Sequence, residues 1–453
     1  MDNRRLAFLA AGVPLVMFVA VSPAMARKQP AAAPVHQTAT AAGLPQGSAV
    51  DAFYGRWQGP DWFADQGRSV AELATILRRA PLDGFAGGPA LAALVEQAAQ
   101  AVAAGKPEDK ASGERVLSAA WVAYVQAIRQ PTRGMIYGYA ALAPQPGQAD
   151  QILAAAAAAP SLAQHLAEVS AINPVYADLR DAAWRGMQSA PGAAPDPRIL
   201  INLERLRSLR ATNRFALVDA ATQRLTMYEN GKPVDSMKVV VGMRQYPTPM
   251  ISSVIYYATF NPYWNVPEHL VRKTVAPNVL RQGMAYLRTR GYQVMSDWSE
   301  NASVVPADGI DWKAVAAGQV QIRVRQLPGP QNSMGQLKFS FANGEDIYLH
   351  DTPSKDLFAK PERALSNGCI RLEDARRFGH WLLGRPPVAP SAQPEQFVQL
   401  PQGVPVYVTY LTAQAVGGKI AYLTDIYGRD AGGMVQASAL SAPPPLAGSV
   451  SAN

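Results

Sequence analysis

The sequence predicts a multidomain α+β protein, helical in its first half and mainly β in its second. Residues 51–212 are Ala-rich and repeat apolar side chains at three- and four-residue spacing, the period of one helix face. From Asn213 onward the apolar runs become β-branched and aromatic, separated by short turns, which is the pattern of strands. Between 268 and 335 the strand pattern lapses, so an insertion is expected inside the β domain.

The elements follow in chain order. Arg4 and Arg5, the apolar run Leu6 to Val21 and Ala24-Met25-Ala26 have the layout of a cleavable signal peptide over residues 1–26. That run is short for a membrane span, which needs about 20 apolar residues, and no second candidate span follows. Residues 27–50 are mostly Ala, Pro, Gln, Thr and Gly and are expected to be a disordered linker. In the helical domain, 51–212, the periodic segments are Ala71–Arg79, Leu91–Ala104, Glu114–Gln130, Ile152–Ile172 and Val175–Met187. Pro81, Gly87-Gly88-Pro89, Pro107 and Pro131 punctuate them. Trp121, Tyr124 and Trp184 are expected in the core. The β domain, 213–412, starts with Phe215–Val218 and continues with Arg224–Tyr228 and Ser236–Val241 around a turn containing Asn230-Gly231, a strong hairpin signal. Ile251–Phe260, Leu337–Phe341, Ile347–His350 and Val404–Leu411 read as further strands. Within the insertion, Leu270–Gly283 reads as helix and Trp312–Gln321 as a short mixed piece; a lid or a structural excursion both fit. Residues 413–453 form a C-terminal extension, expected to be disordered from about 431.

Composition removes several functions. Lys and Arg exceed Asp and Glu by 42 to 34, a formal charge of +8, which suits a polyanionic surface. No aromatic-interleaved basic motif points to nucleic acid. There is no HExxH, no cysteine cluster and no compact histidine set, so no metal is expected. Neither a Walker loop nor a GxGxxG fingerprint is present, no cofactor is expected, and no GxSxG elbow supports a serine hydrolase.

What remains is Cys369, the single cysteine. A lone thiol in an exported protein is either an inert buried group or a nucleophile. It lies in Ser366-Asn367-Gly368-Cys369-Ile370-Arg371, nineteen residues after His350. Period-two alternation puts Ile347 and Leu349 on one strand face and Tyr348 with His350 on the other, so His350 is expected to point out of the core as a general base. Asn367-Gly368 suggests a tight turn whose Gly368 and Cys369 amides face a developing oxyanion. A neighbouring imidazole is expected to lower the thiol pKa, and Arg371 to add positive potential and hold a substrate carboxylate. The other histidines carry less: His36 falls in the linker, His165 and His380 in helices, and His269 in a turn after Pro267 with no visible partner.

These residues resemble the L,D-transpeptidase (YkuD) catalytic domain, whose signature is a histidine, a short spacer, then Ser/Thr-x-Gly-Cys, an apolar residue and commonly Arg. The resemblance covers about 213–412. Asn261-Pro262-Tyr263-Trp264-Asn265-Val266-Pro267, Pro328-Gly329-Pro330-Gln331-Asn332 and Leu349-His350-Asp351-Thr352-Pro353 further resemble the large Gram-negative, YcbB-like branch. That resemblance implies an N-terminal helical scaffold domain, a capping insertion over 268–335, a periplasmic location and peptidoglycan stem peptides as substrate, with other cell-wall synthesis proteins as candidate partners. It implies that Cys369 forms a thioester with meso-diaminopimelate, releasing D-Ala, and that His350 moves the protons. It also implies that the Asp351 carbonyl orients His350, with Ser366 and Arg371 in support. Tyr348, Asn261 and Trp264 are expected to line the groove. Many family members have His where this chain has Asn367, which is given no proton-transfer role.

Alternatives keep the chemistry and change the acceptor: water for a carboxypeptidase, a D-amino acid for exchange, a lipoprotein amine for anchoring, or hydrolysis of such a linkage. Sortase-like and NlpC-like thiol enzymes order or space their Cys and His differently. A non-catalytic envelope scaffold would suit the charge and the helical half.

Overall fold

The computed structural model describes residues 48–105, 107–190, 192, 194–210 and 212–430. The signal-peptide segment 1–26, the linker up to 47 and the tail from 431 lie outside the described residues. The linker expectation runs three residues too far. Ser48–Val50 open a helix because Val50 and Phe53, one turn apart, both bury in the helical core.

The first half is helical: α1 (Ser48–Tyr54), α2 (Arg68–Arg79), α3 (Gly88–Ala103), α4 (Pro107–Ile128), α5 (Ala149–Ala157), α6 (Leu162–Ala171), α7 (Pro174–Ser189) and α8 (Pro197–Leu206). The caps follow local chemistry. Asn173 accepts from the Tyr176 amide and Asp196 from the Arg198 amide, each just before a proline that needs no N–H partner. Trp62, Trp121 and Tyr124 are fully buried in the core of α1–α6, while Trp184 is half-buried on a second cluster. That cluster joins α7 and α8 to Phe215, Leu217, Tyr407 and Leu411 of the β domain. One short strand, β1 (Met135–Tyr137), interrupts the helices and pairs in parallel with the β domain at Met250–Ser252.

The second half begins with β2 (Arg214–Asp219), β3 (Arg224–Glu229), β4 (Lys232–Gly242) and β5 (Met250–Phe260). Asn230 and Gly231 have φ of 50° and 74°, the left-handed values that a two-residue β3–β4 hairpin needs. The insertion supplies β6 (Trp264–Val266), α9 (Glu268–Leu270), a π turn (Val271–Val275), α10 (Ala276–Gln282), α11 (Ala285–Arg290), β7 (Tyr292–Met295), β8 (Val304–Val305), α12 (Trp312–Ala317) and β9 (Arg323–Gln326). After it come β10 (Leu337–Phe341), β11 (Tyr348–His350), β12 (Ala364–Ser366), β13 (Ile370–Leu372), α13 (Ala375–Leu383), β14 (Gln396–Thr409), β15 (Ala413–Val416) and β16 (Lys419–Tyr422).

The main sheet runs β5-β10-β11-β13-β4-β3-β2-β14, and β14 pairs back onto β5. The sheet therefore closes like a barrel, which removes its open edges. Inward residues such as Ile255, Phe339, Leu349, Ile370, Val239 and Val406 fill it. The insertion has its own sheet, β6-β9-β7-β8, and its own core around Val266, Val279, Trp312 and Val324. It starts at Trp264, earlier than 268, because β6 pairs with β9. Its expected single helix is broken into α9, π turn and α10. Pro277 has no N–H for the Lys273 carbonyl, and the wide turn falls there.

Candidate active site

Three short elements bring the candidate residues together. β11 lies between β10 and β13, with Lys338 opposite His350 and His350 opposite Arg371. Ile347 and Leu349 face the core, and Tyr348 and His350 take the outer face, as the alternation requires. Position on the outer face does not bring exposure. His350 points away from the barrel core, as expected, yet is only 4% exposed. Its Nδ1 meets the Asp351 carbonyl at 2.6 Å. A carbonyl only accepts, so Nδ1 carries the proton and Nε2 keeps its lone pair. Burial pushes the imidazole pKa down to about 4, with the Arg371 charge adding to the effect.

The thiol sits on a turn held by hydrogen bonds at several points. Ser366 Oγ donates to the Cys369 carbonyl at 2.6 Å and accepts from the Gly368 amide at 3.1 Å. The Gly368 carbonyl accepts from Thr248 Oγ1 at 2.7 Å. Gly368 has φ 115°, and a Cβ there would lie 3.1 Å from Ile347 Cδ1, so only glycine fits without strain. The two-amide oxyanion site expected from sequence is therefore corrected: the Gly368 N–H is already engaged by Ser366.

Cys369 is half-buried, and its Sγ donates to the Asp346 carbonyl at 3.5 Å. No hydrogen bond joins it to His350. Burial pushes the thiol pKa up, against the opposing influences of the Tyr348 backbone N–H and the Arg371 charge. The expectation of a lowered thiol pKa is thus overturned. With a neutral imidazole nearby, nothing offsets the loss of water around the anion strongly enough. Arg371 has no hydrogen-bond or carboxylate partner among the described residues, and burial lowers its own pKa.

The remaining candidates divide. Tyr348 is half-buried beside the thiol, donates to Asp346 Oδ1 at 3.1 Å and lies under Lys338 Nζ, 5.3 Å from the ring centre. The Asp351 carboxylate turns away from His350 to Lys355 Nζ at 2.8 Å and the Gln336 amide at 3.0 Å. Asn367 makes no side-chain hydrogen bond among the described residues. Asn261 is corrected as a groove residue: its Nδ2 donates to the Ser391 and Gln393 carbonyls, so it clasps a loop. Trp264 is corrected likewise, since it packs on the insertion core near Tyr292. His269, partnerless in the sequence, stacks on Tyr246 with ring centres 5.3 Å apart. Sequence reasoning missed Thr248, Asp346 and Lys338, ordinary residue types: strand register places Lys338, and the loops before β5 and β11 place Thr248 and Asp346. Among the described residues no group of three or more His, Cys, Asp or Glu side chains is arranged to hold a metal, and no helix is long and apolar enough to cross a membrane.

Comparison with known proteins bears on this geometry. The family described as YkuD, L,D-transpeptidase catalytic domain, matches residues 213–408, and a Scaffold domain family matches residues 48–182. A Haemophilus influenzae protein named "Putative L,D-transpeptidase" is 28% identical over 240 residues, which are 51% of this chain and 48% of that protein. The match thus spans about half the length of this relative. An L,D-transpeptidase from Mycobacterium smegmatis shares 11% identity over 44% of this chain and 58% of its own, with a TM-score of 0.23. L,D-transpeptidase 3 from Mycobacterium tuberculosis, solved with a faropenem-derived adduct, shares 15% over 45% and 65%, with a TM-score of 0.22. Those two likenesses are too weak to carry weight. By these family models, the β-rich half is detected as a YkuD L,D-transpeptidase catalytic domain at residues 213–408, following in sequence a helical scaffold domain at residues 48–182.

Proposed function

We propose that the protein is a peptidoglycan L,D-transpeptidase of the periplasm, acting on tetrapeptide stems that end in meso-diaminopimelate–D-Ala. The observation that carries the reading is the shared outer face of Cys369, His350 and Arg371, with the imidazole tautomer set by the Asp351 carbonyl. The family match over 213–408 supports it, as does the signal-peptide pattern of residues 1–26.

The resting pair is a thiol and a neutral imidazole. On substrate binding, His350 Nε2 takes the Sγ proton as sulfur attacks the diaminopimelate carbonyl carbon. With the Gly368 amide engaged, the Cys369 N–H is the donor of that pair left for the oxyanion. The tetrahedral intermediate collapses, the C–N bond breaks, and His350 gives its proton to the departing D-Ala amine. A thioester remains. An acceptor amine, the side-chain amine of a second diaminopimelate, loses a proton to His350 and attacks the thioester. The new amide forms, and the sulfur leaves and regains a proton. Arg371 holds a substrate carboxylate, which supplies the anion its guanidinium lacks.

Exposure to a carbapenem tests the nucleophile. Wild-type protein is expected to gain the mass of one carbapenem and the Cys369→Ala variant none. An adduct on the variant would refute the assignment. Incubation with disaccharide-tetrapeptide is expected to yield a dimer minus D-Ala; hydrolysis without dimer would turn the reading toward a carboxypeptidase.

A further inference from the structure

Four of the seven exposed aromatic side chains among the described residues gather at one place: Tyr139 (40% exposed), Tyr256 (46%), Tyr257 (36%) and Phe397 (62%). Tyr139 meets Tyr256 edge to face at 6.1 Å, and Tyr257 meets Phe397 edge to face at 5.5 Å. A β-bulge creates the cluster. β5 pairs Ala258 with Phe339 and Ile255 with Phe341, so Tyr256 and Tyr257 together oppose the single residue Ser340. Without the bulge, alternation would send one of the two tyrosines into the barrel. Gly403 leaves room for the Tyr256 ring, since a Cβ there would lie 2.6 Å from Tyr256 Cε1.

The cluster is continuous with the candidate active site. Ser340 lies opposite Tyr348, and Leu349 opposite Ile370, which puts Tyr348 level with Cys369. One row across the outer face therefore reads Cys369, Tyr348, Ser340, Tyr257, Gln399. Three strand spacings separate the thiol from Tyr257, about 14 Å. A stem peptide whose third residue sits at the thiol extends back about 10–11 Å over three residues, and its link to the sugar adds the rest. The glycan end of such a substrate reaches the aromatic cluster when the stem crosses the strands along this row.

We propose that Tyr256, Tyr257, Phe397 and Tyr139 form a glycan subsite, on which the sugars of the strand bearing the donor stem stack. The proposal rests on the transpeptidase reading for its substrate. Aromatic rings offer flat apolar faces that match the C–H face of a β-linked N-acetylhexosamine, and tyrosine hydroxyls offer partners for its acetamido groups. An exposed aromatic patch of this kind on a monomer marks a binding surface. The subsite also gives a role to β1 of the helical half, which brings Tyr139 to the barrel.

The test compares full-length wild type with Tyr257→Ala/Phe397→Ala and Tyr256→Ala on two substrates, a sugar-free tetrapeptide and the disaccharide-tetrapeptide. The variants are expected to raise KM about tenfold for the sugar-bearing substrate, with kcat, carbapenem acylation and sugar-free turnover unchanged. An equal loss on both substrates, or no loss on either, overturns the subsite. Binding of stem-free glycan strands to the Cys369→Ala protein separates the two claims. Binding that the aromatic substitutions abolish upholds the subsite even if no turnover is seen. Turnover with no such binding, and no substrate difference, leaves the transpeptidase and removes the subsite. Unchanged glycan affinity with loss of a protein partner would assign the surface to protein contacts and likewise refute it.

Discussion

His350 and Cys369 owe their protonation states to burial, and the pH behaviour follows from them. The imidazole is held near a pKa of about 4, so it remains a base through neutral and mildly acid conditions. Carbapenem acylation is expected to hold level from neutrality downward and to fall to half near pH 4; an inflection at the ordinary histidine value of 6.5 would contradict a buried base. The sign for stability is the same. Between 6.5 and about 4 the unfolded imidazole binds a proton that the folded one refuses, so falling pH costs the fold up to about 3 kcal/mol. Thr248 is the residue to test beside the pair. It donates to the Gly368 carbonyl and accepts from the Gly242 amide while fully buried. Thr248→Val should cost about 1–3 kcal/mol by stranding both partners, read as a lower urea midpoint, and should slow acylation. Rates and midpoint equal to wild type would remove Thr248 from the support of the turn. Cys369, His350 and Gly368 were visible in the sequence because rare residue types met at short spacing. Thr248 was not, since it acts across 120 residues.

At the scale of elements, the insertion is a small body with its own core, joined to the barrel at the end of β5 and the start of β10. Asn332 ties those two stalks together: its Nδ2 donates to the Pro262 carbonyl at 3.0 Å and the Leu327 carbonyl at 2.9 Å. Two of the phrases singled out in the sequence, Asn261–Pro267 and Pro328–Asn332, are therefore stalks and clasps. Trp312 is buried in the insertion core, with its Nε1 donating to the Ala307 carbonyl. Trp312→Ala should cost about 3–5 kcal/mol, confined to this body. Hydrogen exchange is expected to lose protection across 264–326 while β2–β4 and β14 stay protected; global loss of protection would mean that the insertion and the barrel fold as one unit. The alternation of Ile347 to His350 and the Asn230-Gly231 hairpin were legible because each is a local pattern. The bulge at Tyr256-Tyr257 was not, because it exists only in the pairing of β5 with β10.

At the scale of the molecule, the C-terminal segment links the helical half to the Gly368–Cys369 turn. Asp430 accepts from Arg198 and Arg205 of α8, each at 2.9 Å, and from Thr412. Next to it, Arg429 donates to the Thr248 carbonyl, and Tyr427 Oη donates to the Gly242 carbonyl at 2.6 Å. The residues beneath Gly368 are thus held from α8 through the last described residues. Asp430→Ala removes the carboxylate from Arg205, whose side chain is almost fully buried, and should cost about 3 kcal/mol. It should also lower the acylation rate through Arg429 and Thr248. A variant with an unchanged melting midpoint would show that this junction adds little.

The sequence by itself determined the two halves, the inserted body and most strands, and it singled out one cysteine and one histidine. Those features are written in local periods and rare residue types, which survive without knowledge of neighbours. Tertiary structure alone decided the closure of β14 onto β5, the commitment of the Gly368 amide to Ser366, the clasp roles of Asn261 and Asn332, and the aromatic row beyond Tyr348. It also decided protonation. Alternation can place His350 on the outer face, but only the packing around that face excludes the water that would have kept its imidazole ordinary.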